Sequence, residues 1–277
     1  MKEILVFLSS PAHRDGLSAG VHYAIAMART YGAHLSALIG DIEPELHDLP
    51  PEPDIRQVER VATDPTLSTE RIARTAELVQ SAAMDASVSC DILRVDDPTV
   101  SLRERIIHCA QLHDILIIDV RGPLQSPRKD LVEAALFGSG RPIVLLPPNG
   151  RQANRIVVAW DGTRSAVRAV HDALPLLVGA REVLVASVID DKLFSKPESG
   201  NALCRYLARW GVGATFSAIR REALNVGANL LDYVQQTNAD LLVMGAFAHG
   251  FERTLMLGSA TRDIFEARIG IPILMSH

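Results

Sequence analysis

ADLLVMGAFAHGFERTLMLGSATRDIFE, residues 239–266, is the stretch that decides the fold. Its hydrophobic segment Leu241–Met244 is typical of a buried parallel strand, and this strand is interrupted at Gly245. A second small-residue turn, Gly258-Ser259, then opens an apolar segment with helical character. A strand end and a helix N-terminus that lie together present free backbone N–H groups to an anion. The stretch therefore predicts a phosphate-binding loop.

The rest of the chain carries the same series of elements twice. KEILVFLSS (2–10) matches NRIVVAWDG (154–162), HDILIIDVRG (113–122) matches ADLLVMGAFA (239–248), and GRPIVLLPP (140–148) matches GIPILMSH (270–277). Amphipathic helices are predicted between these strands, at residues 17–31, 102–112, 165–177 and 228–236. Strands that alternate with helices predict a parallel sheet covered on both faces. We therefore expect an α/β protein made of two doubly wound, five-stranded parallel sheets in tandem.

The repeat also sets the expected domain boundaries. The first domain is predicted at residues 1–148, a polar linker rich in turn formers at 149–154, and the second domain at 155–277. The first copy is longer, and the extra length is assigned to a proline-rich acidic insertion at about residues 41–66. The segment DIEPELHDLPPEPD (41–54) contains four prolines, which exclude a helix interior or a central strand. A surface insertion or a lid is the interpretation.

Composition excludes several classes of function. The net charge is −5 and no basic block is present, which argues against a nucleic-acid partner. No apolar run approaches the roughly 20 residues of a membrane helix, and the first apolar run is too short for a signal peptide. A cytoplasmic protein without a membrane partner is expected. The three cysteines, Cys90, Cys109 and Cys204, lack metal or disulfide spacing, so they are predicted to be small buried hydrophobes in a reducing compartment.

The loop quoted first resembles the nucleotide loop of the universal stress protein family, G-x2-G-x9-G-[ST]. Here the loop reads Gly245-x2-Ala248-x9-Gly258-Ser259, so that alanine replaces the second glycine. The resemblance covers essentially the whole chain, strongly in the second copy and only as a skeleton in the first. It implies Rossmann-like sheets with strand order 3-2-1-4-5. It also implies an internal pseudo-dimer through residues 143–146 and 273–275, and it leaves open whether two chains associate.

The resemblance further implies where a nucleotide would bind. The family aspartate after strand one falls on Asp161, where it would bond the adenosine part of ATP, and the residue whose backbone meets the adenine edge falls on Val188. The implied cofactor is ATP, with or without magnesium, and no catalytic or metal-binding residue is assigned. His249 is added as a phosphate donor in the loop, and Arg253 is a further candidate to neutralise phosphate charge. The full candidate set comprises Ala159, Trp160, Asp161, Val188, Gly245, Ala248, His249, Gly258, Ser259 and Ala260.

The alanine at position 248 leaves three alternatives open. A left-handed backbone at Ala248 would cost about 1–2 kcal/mol because of its Cβ. A close contact with phosphate would instead be blocked by its methyl group. A loop re-registered onto Gly250 would shorten the family spacing from about nine residues to about seven, counted on the sequence.

The first copy is predicted to have lost the site. Gly122 is followed at once by Pro123, no aspartate aligns with Asp161, and Gly138-Ser139 is predicted to leave no room for a full helix before Pro142. The function that the resemblance implies is a stress-response regulator or sensor that binds an adenine nucleotide in its second domain. The alternatives are a nucleotide-free protein-interaction scaffold and, less favoured, a slow ATP-hydrolysing enzyme. The P-loop motif GxxxxGK[ST] is absent from the sequence.

Overall fold

The computed structural model describes residues 1–10, 16–41, 65–94, 100–189, 197–220, 225–246, 248–249, 256–257 and 259–277. The chain divides into two compact units. Unit 1 comprises Met1–Asp119 and Leu124–Arg141, and unit 2 comprises Val120–Pro123 and Pro142–His277. The predicted linker, residues 149–154, therefore lies inside unit 2, and the division falls just before the Pro-led strand of the first repeat.

Unit 1 alternates strands and helices along the chain. Its elements are β1 (Glu3–Ser10), α1 (Ala19–Tyr31), β2 (His34–Asp41), α2 (Pro65–Asp85), β3 (Cys90–Arg94), α3 (Leu102–Gln111), β4 (Ile115–Asp119) and α4 (Arg128–Gly138). The strands lie in the order β3-β2-β1-β4, and all of these neighbours are parallel. The two central strands are buried and apolar, as expected for a sheet covered on both faces.

Unit 2 repeats this arrangement and adds two features. Its elements are β5 (Ile143–Leu146), β6 (Arg155–Ala159), α5 (Arg164–Gly179), β7 (Glu182–Ile189), α6 (Pro197–Ala208), β8 (Ala214–Arg220), α7 (Val226–Thr237), β9 (Leu241–Gly245), β10 (Ala248–His249), β11 (Met256–Leu257), α8 (Ser259–Glu266) and β12 (Ile273–Ser276). The main sheet has the order β8-β7-β6-β9-β12-β5. The short strands β10 and β11 form a separate antiparallel pair.

The predicted fold class is confirmed as a mixed α/β, mostly parallel architecture. Strands β8-β7-β6-β9-β12 follow the expected 3-2-1-4-5 order and are all parallel. The two Pro-led strands pair as expected, with Leu274 opposite Val144, but this contact is antiparallel and β5 is counted in unit 2. Unit 1 by itself thus contains four strands, while the five strands of the first repeat follow the predicted order β3-β2-β1-β4-β5. The division into two five-stranded sheets stays a prediction.

The predicted insertion at residues 41–66 lies mostly outside the described residues. Its two ends are in regular structure, because Asp41 closes β2 and Pro65 opens α2. Part of the extra length in the first copy is helical, since α2 has 21 residues whereas α6 has 12. Among the described residues, none of the helices combines the length and the apolar character that a membrane span needs.

In each repeat an aspartate fixes the start of the first strand, which is β1 in the first repeat and β6 in the second. Asp114 Oδ2 accepts hydrogen bonds from the backbone N–H groups of residues 2 and 3, at 3.1 Å for Glu3. Asp240 Oδ2 accepts from residues 154 and 155, at 3.2 and 2.9 Å. Burial alone would raise the pKa of the Asp114 carboxyl, but these backbone donors lower it below its ordinary value. The two aspartates occupy equivalent places in the repeat.

We predict that Asp114→Asn lowers the melting temperature at pH 7 and that this effect shrinks in acid. The folded-state pKa of Asp114 is lowered, so its stabilising contribution is present at neutral pH and is lost as the pH falls through that lowered pKa. Thermal unfolding followed by circular dichroism from pH 7 to pH 3 measures the difference. Glu77→Gln, an exposed carboxylate on α2, is the control. A deficit that is the same at all pH values would contradict the prediction.

Candidate functional site

Three strand ends of unit 2 meet at the edge where the candidate residues were expected. Strand β6 pairs in parallel with β7 on one side and with β9 on the other, which is where the winding direction reverses. The registers end with Ala159 opposite Ala186 and Val158 opposite Val243. Trp160 and Asp161 follow directly after β6, while Val188 and Gly245 lie near the ends of β7 and β9, at the same edge. Ala159 is the last residue of β6 and is half-buried. The structure thus brings these five candidate residues to one edge of the sheet.

Asp161 forms the turn that leads from β6 into α5. Gly162 adopts a left-handed conformation with φ +74°, which a side chain would oppose. Asp161 Oδ1 accepts from the N–H of Thr163 at 2.9 Å and from its hydroxyl at 2.7 Å. The Thr163 hydroxyl in turn accepts from the N–H of Ala166 at 3.3 Å and caps α5. Asp161 is exposed, and its Oδ2 bonds to no described residue.

Trp160 is half-buried and held on both sides. Its indole Nε1 donates to Ser199 Oγ on α6 at 2.9 Å, and its carbonyl accepts from Ser187 Oγ at 2.6 Å. Because the indole N–H is already bonded, Trp160 can offer a ligand its ring face but not a hydrogen bond. Neither serine was singled out in the sequence, where a single serine in a strand or a helix gives no signal.

Gly245 is enclosed by the first turn of α5. A Cβ at this position would lie 2.5 Å from the backbone N of Ala166 and 2.6 Å from the backbone C of Ser165. The sequence suggested a glycine that lets a phosphate approach the backbone. The described contacts give it another role, because the absence of a side chain lets the end of β9 pack on the N-terminus of α5.

Ala248 and His249 lie in strand β10, paired with Leu257 and Met256 of β11. A residue in such a ladder has an extended backbone, and among the described residues a positive φ at a non-glycine residue occurs at Ser87 and Asn238. The structure therefore gives no support to the left-handed alternative for Ala248.

The rest of the predicted loop is described only in part. Gly258, Gly250 and Arg253 lie outside the described residues. Ser259 is the first residue of α8, as the Gly-Ser pattern predicted, and Ala260 follows it in the first turn. The roles of Gly258 in the phosphate-binding loop and of Arg253 in neutralising phosphate charge thus remain predictions.

Ser276 is a further residue at this edge that the sequence analysis did not identify. It lies opposite Gly245 in the β9–β12 register and is 1% exposed. Its hydroxyl is buried and bonds to no described residue, whereas most buried polar side-chain atoms in proteins are hydrogen-bonded. Only the register of the last strand could have revealed it.

Unit 1 solves the same packing problem in the opposite way. Asp119 ends β4 at the position equivalent to Gly245, and its Oδ1 accepts from the N–H of Gly20 in the first turn of α1 at 2.7 Å. A Cβ on Gly20 would lie 2.9 Å from both carboxylate oxygens of Asp119. Here the strand carries the side chain and the helix carries the glycine. An anionic ligand in unit 1 would have to displace this carboxylate from the helix N-terminus.

One helix of the first copy was not predicted. Gly138-Ser139 was matched to Gly258-Ser259 and predicted to leave no room for a full helix before Pro142, and no helix begins at that pair. The structure has the 11-residue α4 between β4 and β5, and Gly138 is its last residue. The helix comes before the Gly-Ser pair because residues 120–127 form a shorter connection than residues 246–258 do. A glycine is common at both kinds of helix boundary, so the pattern alone was ambiguous.

The three cysteines were predicted to be small buried hydrophobes; they are half-buried, and none forms a disulfide. Burial, together with the neighbouring Asp91 carboxylate, raises the pKa of the Cys90 thiol to about 11. Burial raises the pKa of the Cys109 and Cys204 thiols as well. All three are therefore protonated at neutral pH and are poor nucleophiles. The described residues also contain no group of three or more His, Cys, Asp or Glu side chains placed to hold a metal ion.

Residues 153–267 match the Universal stress protein family. The match includes Asp161, Val188 and the whole loop from Gly245 to Ala260, and it covers less than half of the chain. No curated protein matches the sequence.

Solved structures show the same fold over the whole chain. A universal stress protein from Archaeoglobus fulgidus is 14% identical, with a TM-score of 0.70, and the alignment covers 99% of this chain and 97% of that one. A protein of unknown function from Pseudomonas aeruginosa is 16% identical, with a TM-score of 0.60 and coverages of 99% and 92%. The cytoplasmic domain of a prokaryotic cation chloride cotransporter is 12% identical, with a TM-score of 0.50 and coverages of 99% and 94%. Such identities establish the fold and not the function.

We predict that Gly245→Ala destabilises the protein by about 1–3 kcal/mol, because the added methyl group would meet backbone atoms that cannot rotate away. Gly213→Ala is the matched control, since a Cβ there meets nothing within 4 Å. We expect the control to stay within about 0.5 kcal/mol of the parent protein. Urea unfolding of both variants gives the two values. Equal stabilities for the two variants would refute the proposed packing role of Gly245.

We predict that Gly20→Ala is less destabilising in an Asp119→Ala background than in the parent protein. The three atoms nearest to a methyl group at position 20 all belong to the Asp119 side chain, so removing that side chain relieves the closest contacts. A double-mutant cycle measured by urea unfolding gives the coupling free energy, which for residues in contact is about 0.5–3 kcal/mol. Strict additivity of the two substitutions would rule out the reciprocal packing described for unit 1.

Proposed function

We propose that this protein is a stress-response regulator or sensor that binds ATP or another adenine nucleotide at the carboxyl edge of β6 and β9 in unit 2. The observation that carries the proposal is the family match over residues 153–267, because it spans all the residues expected to contact the ligand. In that arrangement Asp161 receives the adenosine part, and the loop that ends at Ser259 and Ala260 receives the phosphates.

The geometry around Asp161 supports this assignment. One carboxylate oxygen fixes the turn into α5, and the other is exposed and available for a ribose hydroxyl or an amine. Val188 lies on the neighbouring strand β7, two residues beyond the last β6–β7 pair, and in this proposal its backbone meets the adenine edge. The N-terminus of α8 adds backbone N–H donors on the β9 side. Ala248 lies in strand β10, so the structure gives no support to the left-handed backbone that would oppose binding.

A second candidate function, a nucleotide-free interaction scaffold, is favoured by a different surface. Helices α5 and α6 and the turn after α6 expose large apolar side chains, with Val167 52%, Tyr206 37% and Trp210 51% exposed. The rings of Tyr206 and Trp210 lie edge to face, 6.4 Å apart. Clustered exposed apolar residues mark interaction surfaces more often than isolated ones do. Hydrolysis of ATP is the less favoured alternative, and no residue is assigned to it.

The first experiment is mass spectrometry of the small molecules released when the freshly purified protein is denatured. Near-stoichiometric ATP, ADP or AMP supports the nucleotide proposal. An empty protein that is also not stabilised thermally by millimolar ATP, with or without magnesium, contradicts it and favours the scaffold.

We predict that Asp161→Asn weakens ATP binding by roughly tenfold or more, because a hydrogen bond to a charged group is worth about 1.5–3 kcal/mol. Asparagine keeps an acceptor for Thr163, so the turn into α5 is preserved. A Trp210→Phe background leaves Trp160 as the sole tryptophan, and its fluorescence reports ATP titration at the site. Asp232→Asn, an exposed carboxylate on α7, is the control. An affinity unchanged by Asp161→Asn would remove Asp161 from the site.

A further inference from the structure

A second ligand-sized groove lies at the opposite end of the sheet in unit 2. It is bounded by the C-terminal part of α7, by residues 268–272 before β12 and by residues 149–151 after β5, and its volume is about 550 Å³. Small-molecule sites in proteins fall between about 300 and 1,000 Å³. Because the groove adjoins the starts of β9 and β12, it lies at the amino ends of the strands. It is therefore away from the carboxyl edge of β6 and β9 where the nucleotide is proposed to bind (the nucleotide edge). The apolar part of its lining consists of Leu231, Val234, Ala239, Ile271 and Pro272.

Two arginines that line this groove are unpaired within the described part of the chain. Arg151 and Arg268 are exposed, and neither makes a hydrogen bond or an ion pair with the part of the chain that the structure describes. Arg155, at the same end of the sheet, already has partners: it pairs with Glu182 at 2.6 Å and donates to the carbonyl of Thr237 at 2.7 Å. Two unpaired guanidinium groups beside an apolar wall favour a ligand that has a planar anionic head and an apolar body.

The remaining lining limits the charge that the ligand can carry. Helix α7 ends at Thr237, so its C-terminal carbonyl groups place the negative end of the helix dipole at the groove. The Asp240 carboxylate also lines it, although its Oδ2 is already bonded to two backbone N–H groups. Both groups oppose a polyanion. A single negative charge is matched by the two arginines, whereas a triphosphate would be repelled.

We propose that this groove binds a small amphipathic carboxylate, with its carboxylate held by Arg151 and Arg268 and its hydrocarbon chain lying on Leu231, Val234 and Ile271. The site is independent of the nucleotide edge and stands or falls separately from it. It gives the protein a second, chemically different ligand class.

Isothermal titration calorimetry with sodium decanoate tests the proposal. Decanoate binds the parent protein, and Arg151→Gln and Arg268→Gln each weaken binding by about tenfold, as expected for the loss of one hydrogen bond to a charged group. Arg209→Gln, an exposed arginine outside the groove at the end of α6, is the matched control and leaves binding unchanged. Decanol, which has the same chain and no charge, binds at least tenfold more weakly than decanoate.

A series of acetate, hexanoate and decanoate tests the apolar wall. Affinity rises with chain length, by up to about fourfold for each CH₂ group that becomes fully buried. The proposal is overturned if decanoate shows no heat of binding at millimolar concentration. It is equally overturned if the two groove arginines behave like Arg209, or if acetate binds as well as decanoate. Titration of ATP into Arg151→Gln and Arg268→Gln should give the parent affinity, which keeps this result separate from that for the nucleotide edge.

Discussion

The structure depends on how closely a strand end can approach the first turn of the helix that follows the neighbouring strand. In both units the fourth strand of the repeat ends against this turn, and the space admits one side chain and not two. Unit 2 gives the side chain to the helix, as Ser165, and leaves Gly245 on the strand. Unit 1 gives it to the strand, as Asp119, and leaves Gly20 on the helix. The choice decides the chemistry of the edge.

The two choices have different electrostatic results. In unit 1 the Asp119 carboxylate already accepts a hydrogen bond from the N–H of Gly20 in the first turn of α1. The helix N-terminus therefore faces a negative charge from its own chain. In unit 2 the corresponding strand position is the neutral Gly245, and the Asp161 carboxylate lies on the turn into α5. A repeat that shares one fold thus presents an occupied edge in one copy and an open edge in the other.

Much of this fold could be predicted from the sequence. The apolar strands and the helices between them were recognisable because each repeat shows the same hydrophobic periodicity, and the observed helices α1, α3, α5 and α7 lie within a few residues of their predicted positions. The convergence of Asp161, Val188 and Gly245 also followed, since parallel neighbours end at the same edge. These features depend on local pattern and on simple topology.

What could not be predicted depends on contacts between distant residues. Gly20 and Asp119 are 99 residues apart, and neither has a local signal that it faces the other. The hydrogen bond from Trp160 to Ser199 and the buried Ser276 likewise require the packing of whole elements. Helix α4 was not predicted for a different reason, because the same Gly-Ser pair can end a helix or begin one.

The antiparallel contact between β5 and β12 has a consequence for self-association of the second repeat. Strand β5 comes from the first repeat but covers the outer side of β12 in unit 2, where its backbone groups are paired. A polypeptide that started after the linker would keep β12 and lose this cover, leaving a row of unpaired N–H and C=O groups along the sheet. Two such fragments would be expected to join through that open side. By pairing with β12, strand β5 of the first repeat therefore prevents the second repeat from associating through this sheet edge.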